Sequence, residues 1–179
     1  MKKFCISIGL ILIIVLSAAA LAGSKDEPKA NAEYLRIHVR ANSNTEEDQS
    51  IKYEIKDLVV SYLTKIVLES ETKEQLVSNI EAKKSELDAL IGAYLKQKGF
   101  TYGARTKINN ELFPTRTYED LTLEYGYYDA VIVELGSGEG DNWWCVVYPP
   151  LCFTKQKDAV YRSLIYEYIK GIYEKNDQN

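Results

Sequence analysis

The chain of 179 residues has a single histidine, His38, and three cysteines. One imidazole rules out an HExxH pair and every other multi-histidine metal centre, and with them most hydrolase architectures. Positive charge is not in excess either, with 22 basic against 26 acidic residues; a net acidic domain is a poor nucleic-acid binder. Phenylalanine is scarce, four residues against fourteen tyrosines, all of the latter beyond residue 33. Tyrosine joins a large apolar face to a polar tip and so suits half-buried positions and contact surfaces. There is no internal repeat and no low-complexity stretch.

Lys2-Lys3 precede an apolar run from Phe4 to Leu16 and a small-residue stretch ending Ala20-Leu21-Ala22-Gly23. This is the pattern of a secretory signal peptide over residues 1–22, with cleavage expected between Ala22 and Gly23. The alternative is an uncleaved anchor, because Phe4 to Ala22 approaches the ~20 residues that span a hydrocarbon core. Cys5 stands at the start of the apolar run, where no lipidation site belongs. Removing residues 1–22 takes away two lysines and no acids, leaving a net charge of −6. The remainder is one domain's worth of chain, long enough to bury a full core.

Residues 23–33 lack apolar periodicity and read as a flexible linker. A single α+β domain is expected over 34–175, followed by a disordered tail at 176–179. In Tyr34–Arg40, Leu35, Ile37 and Val39 alternate with Arg36, His38 and Arg40, which predicts a strand with one buried and one wet face. Thr45 or Asn44 caps a helix to about Leu68, with Glu46, Glu47 and Asp48 in its positive first turn. Thr72-Lys73-Glu74-Gln75 opens a second helix, and Gly99 ends it. Strands are expected over Phe100–Ile108, Leu121–Leu123, Ala130–Leu135 and Trp143–Tyr148, with a loop through Phe113–Arg116 and a flexible glycine-rich hairpin over Gly136–Asn142. An amphipathic helix over Lys157–Lys175 closes the chain. The order β-α-α-β-β-β-β-α predicts a mainly antiparallel sheet with helices packed on one face.

Chemistry has few places to reside. A Cys145–His38 nucleophile oriented by Asp129 is conceivable if the strands are neighbours; the plainer reading sets His38 between two arginines on a solvated face. The glycine-rich loop leads into a strand, whereas a phosphate cradle needs a helix N-terminus. Glu46-Glu47-Asp48 matches no calcium loop and reads as solvated charge. No catalytic residue, metal ligand or cofactor is expected.

The densest stretch is Asp141-Asn142-Trp143-Trp144-Cys145-Val146-Val147-Tyr148-Pro149-Pro150-Leu151-Cys152-Phe153. In an exported chain Cys145 and Cys152 have reason to oxidise, closing a loop that stabilises by about 2.5 kcal/mol on chain entropy; two reduced thiols are the alternative. Adjacent strand residues point to opposite faces, so Trp143 and Trp144 divide between core and candidate surface. The exposed one is a candidate binding hot spot unless a helix or loop covers it.

Three segments together resemble the stage II sporulation protein R family: Arg36–Asn44 followed by Asp48-Gln49, Phe113-Pro114-Thr115-Arg116, and above all Gly140–Phe153. The sequence departs from the family at Leu123-Glu124-Tyr125-Gly126, where Leu-Pro-Ala-Gly is usual, and at Val131-Ile132, where Leu-Arg is expected; 121–132 is accordingly a weaker candidate for a contact surface. The resemblance implies a protein made in the forespore and exported into the space between the two membranes of the sporulation septum. There it would trigger a membrane-embedded aspartic protease of the mother cell that cleaves the sigma E precursor. It implies a ligand and not a catalyst, with contact expected among Phe113, Pro114, Arg116, Asp141, Asn142, Trp143 and Trp144. The rival is a secreted hydrolase of septal peptidoglycan.

Overall fold

A computed structural model describes residues 29–118 and 121–153. The expected signal peptide, its cleavage point at Ala22 and Gly23, the closing helix over 157–175 and the tail lie outside the described residues. The elements run β1 (Lys29–Arg40), α1 (Glu46–Leu68), α2 (Lys73–Gln97), β2 (Ala104–Phe113), β3 (Arg116–Tyr118), β4 (Leu121–Leu123), β5 (Gly126–Leu135) and β6 (Asn142–Tyr148), then a 3-10 turn at Leu151–Phe153. This is the expected α+β order as far as the description reaches.

Both helices begin where local chemistry says they should. The Thr45 and Thr72 hydroxyls accept from Asp48 N and Gln75 N, satisfying amides that the first turn leaves without partners. Gln75 completes its box one residue further out than expected, its side chain accepting from Glu71 N. Gly99 adopts φ of 91°, the left-handed terminator expected after α2.

The main sheet has the order β2-β5-β1-β6, and β3-β4 form a separate two-stranded sheet. Two of its three pairings are antiparallel, while the central pair, β1 with β5, is parallel. β1 begins at Lys29, so residues 29–33 are strand and not linker. Lys29 pairs with Gly126 and Ala30 with Tyr127, with an irregularity before Leu35. A ladder uses backbone N–H and C=O groups, so this stretch can pair without any apolar alternation.

Leu35, Ile37 and Val39 join Val131, Val133 and Leu135 beneath the helices, whose Ile55, Val59, Leu63, Leu76, Ile80, Leu87 and Ile91 complete the main core. The opposite face is not wet. Phe113, Leu123, Tyr128, Ala130, Ile132 and Val146 form a second buried cluster, with Tyr118, Leu121 and Trp144 packed against it. The β3-β4 hairpin covers this face, and Arg36 and His38 are only 0% and 4% exposed. The expected solvated face was the natural reading of polar alternation; the cover comes from residues about eighty positions away and leaves no local sign.

The connection from β5 to β6 is not a hairpin, because β1 lies between those strands. It crosses the C-terminal end of β1, where the Ala41–Asn44 turn meets it. Gly140 N donates to Ala41 O, Ser137 N to Asn42 Oδ1 and Asp141 N to Asn44 Oδ1. A Cβ on Gly136 would stand 2.2 Å from Asn42 Oδ1, and one on Gly140 would stand 2.3 Å from Ser43 O. The glycines are therefore required by close approach, and the expected flexible loop is a pinned crossover. Gly140→Ala should cost roughly 2–3 kcal/mol, since the obstacle is backbone that cannot swing aside; a chemical denaturation midpoint matching the wild type would refute this.

Candidate functional site

Alternation along β6 sends the two tryptophans to opposite faces, as expected. Neither is simply core or surface, because both are half-buried. Trp143 packs against the helix-side core with Lys56 Nζ 5.6 Å from its ring centroid. Trp144 packs on the hairpin side, 5.9 Å from the His38 ring, and the Arg116 guanidinium lies 4.4 Å over it. Arg116 itself is exposed. Such a guanidinium on an indole is a cation–π pair, worth about 0.5–2 kcal/mol depending on solvation.

The remaining expected contact residues separate in the same way. Phe113 is fully buried between His38 and Tyr128, with ring centroids 4.4 and 5.7 Å away, so it is core and no contact residue. Its aromatic neighbours on the covered face make it the centre of that layer, which the loop reading of 113–116 could not reveal. Pro114 is exposed at the turn between β2 and β3, and Asn142 is half-buried beside Trp144. Asp141 exposes its side chain, while its backbone accepts from Lys52 Nζ at 3.0 Å and donates to Asn44 at 2.6 Å. Pro114, Arg116 and Trp144 thus form the surviving candidate surface, the rim of the hairpin.

A second exposed patch was missed. Leu112 and Tyr127, each 42% exposed, pair across β2 and β5, and Tyr125 follows at 38%. Ending the second expected strand at Ile108 hid Leu112 in a loop. Ile108 and Leu112 share one strand face, but Asn110 between them breaks the apolar alternation that would have extended the strand to Leu112.

Beneath the hairpin the electrostatics are unusual. Arg36 is fully buried with its guanidinium carbon 4.0 Å from the Phe113 centroid, 4.8 Å from Tyr128 and 5.7 Å from Tyr118. It donates to Tyr118 OH at 2.8 Å, but among the described residues Nε and Nη1 meet no acceptor. Burial pulls its pKa down, partly offset by Tyr118. His38 falls to about 3, first through burial and then through Arg40, Arg36 and Lys107. Glu111 is 3.9 Å from its Nδ1, but a neutral imidazole makes no ion pair there. Arg40 instead holds Glu111 at 2.6 Å and Glu134 at 2.9 Å, and Lys107 holds Glu134 at 2.8 Å.

The conceivable nucleophile does not assemble. Cys145 is bonded to Cys152, with Cα atoms 5.8 Å apart. It faces the helix-side core, whereas His38 faces the hairpin, and Asp129 is held by Lys73 Nζ at 2.6 Å. Asp48, read from sequence as solvated, is buried. Burial alone would raise its pKa, but hydrogen bonds from Ser43, Tyr102 and Asn42, with Thr45 beside them, hold it below the carboxylate range. It ties the Asn42–Thr45 turn to α1. Among the described residues, no three His, Cys, Asp or Glu side chains gather as a metal site, and no helix is long and apolar enough to cross a membrane.

Comparison with known proteins follows the same residues. Positions 31–158 match the family model described as stage II sporulation protein R. Stage II sporulation protein R of Bacillus subtilis (strain 168) is 31% identical over 162 residues, spanning 86% of this chain and 72% of that relative. No solved structure matches.

Proposed function

This chain belongs to the stage II sporulation protein R family, and on that premise we propose that it is an exported sporulation signal that activates a membrane-embedded aspartic protease of the mother cell. The activated protease then cleaves the sigma E precursor. Export from the forespore into the space between the septal membranes is supported by the Lys2-Lys3 and apolar N-terminus.

The observation that carries this reading is the rim where exposed Arg116 lies on half-buried Trp144. Arginine and tryptophan are the residue types that dominate binding energy when a partner seals them from water. Binding of that rim to the protease would favour its active arrangement, shifting the population only by the difference in affinity for its two states. A hydrolase reading loses its best nucleophile, since Cys145 is oxidised and faces away from His38. The test is co-expression of chain, protease and precursor in a non-sporulating host. Cleavage should require the chain; cleavage without it, or none with it, would defeat the proposal.

A further inference from the structure

The two edges of the main sheet are finished differently. At β6 the disulfide turns the chain back, so that Leu151–Phe153 packs along the strand and Cys152 Sγ lies 2.7 Å from Val146 O. β2 forms the other edge, with β5 on its inner side and no described strand on its outer side. It runs for ten residues in unbroken register with β5, without the proline or bulge that commonly blunts an edge.

The register decides which backbone groups face outward. Gly136 N donates to Gly103 O, so that pair exchanges bonds at the start of the β2-β5 ladder. Alternation then turns the odd-numbered residues of β2 towards β5 and the N–H and C=O groups of the even-numbered ones outward. Thr106 is buried, whereas Ile108 is half-buried and Asn110 and Leu112 are exposed, so the open part of the edge is Ile108–Leu112. Pro114, the next even position, has no N–H and ends it. Among the described residues, the one bond to an outward backbone group here is local, Asn110 N donating to Asn109 Oδ1.

We propose that this open edge is where a second copy of the chain docks, its β2 antiparallel to the first about a two-fold axis through Asn110. Ile108 of each copy then exchanges backbone bonds with Leu112 of the other, and Asn110 with Asn110. The edge's own complementarity selects this occupant. Leu112, 42% exposed, lies beside Tyr127, and Ile108 lies beside Val131. The pairing joins them into one apolar row, in which Tyr127 and Leu112 run on into Ile108 and Val131 of the second copy. On the other face the cations Arg105 and Lys107 stand at one end of the strand and the anion Glu111 at the other. An antiparallel neighbour sets Glu111 opposite Asn109 and diagonal to Lys107, whereas a parallel one would set like charge beside like. Two four-stranded sheets become one of eight strands, with β6 at each far end. The dimer therefore leaves both Trp144 and Arg116 rims open, their strands roughly 33 Å apart across the sheet. This goes beyond the signalling reading and does not depend on it.

The test uses the purified chain alone. Sedimentation velocity from about 1 μM to about 1 mM should show monomer passing to dimer, a weak one because so short a contact is smaller than a standard interface. Amide exchange followed by NMR over the same series should show protection at Ile108, Asn110 and Leu112 that rises with concentration. Lys107, Asn109 and Glu111, already bonded to β5, should stay level. Leu112→Lys, at an exposed position compatible with folding, should weaken the dimer by roughly tenfold or more and leave the melting temperature of the dilute chain unchanged. A monomer at every concentration, a dimer whose protection falls elsewhere, or a dimer that Leu112→Lys leaves intact would overturn the proposal. So would protection of the same three amides that appears only when membranes holding the protease are added, which would give the edge to a different chain.

Discussion

Trp144→Ala is expected to lower precursor cleavage by roughly 30-fold at equal amounts of folded, exported protein, the kinetic equivalent of a hot spot of about 2 kcal/mol. The expectation follows from its place under Arg116, where a partner that covers the guanidinium would also dry the indole. Arg116→Ala should give a smaller loss of roughly tenfold, and because the side chain is exposed, losing its cation–π contact with Trp144 should cost no more than about 1 kcal/mol of stability. Trp143→Ala is the contrast. Its ring packs against the helix-side core, so it should reduce stability while leaving most of the cleavage per folded molecule. Dose-matched co-expression with thermal melts on each variant separates the two effects. A larger specific loss for Trp143→Ala than for Trp144→Ala would place the contact on the wrong face.

The second large effect is a loss of stability in mild acid caused by His38. Its pKa is about 3 in the folded chain, lowered first by burial and then by Arg40, Arg36 and Lys107, against an ordinary value of 6.5. The unfolded chain therefore takes up a proton that the folded chain refuses. Stability is unaffected above pH 6.5 and falls as pH drops from there toward 3, by up to ~1.4 kcal/mol per pH unit. At pH 4.5 the loss is of the order of 2–3 kcal/mol. Asp48, Asp129 and Glu134 also have lowered values, but as carboxylates they lose stability only at lower pH, as they protonate. The interval from 6.5 to 4.5 thus belongs mainly to His38. Urea denaturation across that interval should show the slope in the wild type and a much flatter one in His38→Gln; equal slopes would mean that the imidazole is not held neutral.

The parts of this molecule legible in the sequence are those whose causes are local. Thr45, Thr72 and Gly99 mark helix ends because a cap or a left-handed turn is decided within a few residues. The alternation of Leu35, Ile37 and Val39 gave the strand for the same reason. What alternation could not show was the fate of Arg36 and His38, which depends on a hairpin contributed by residues 116–123. The insertion of β1 between β5 and β6 is likewise non-local, and it turned an expected flexible hairpin into a crossover pinned by Asn42 and Asn44.

The same division explains the site. The run from Asp141 to Phe153 announced the disulfide and the opposed tryptophans, both properties of spacing. It did not announce that Phe113 would be buried or that Arg116 would stack on Trp144, since those contacts join segments nearly thirty residues apart. The segments that carry the family resemblance also have separate tasks. Asn42, Ser43, Asn44 and Gly140 hold the end of the sheet, whereas Arg116 and Trp144 are left at a rim with chemistry suited to a partner.

The central claim is that this chain acts as a ligand that switches on another protein's catalysis. It is tested most directly by adding the purified chain in graded amounts to membrane vesicles that hold the protease together with its precursor substrate. The account predicts cleavage that rises and saturates with added chain, is absent without protease, and needs much more Trp144→Ala protein to reach the same level. Cleavage in vesicles without the protease, or none at any concentration of folded chain, would contradict it.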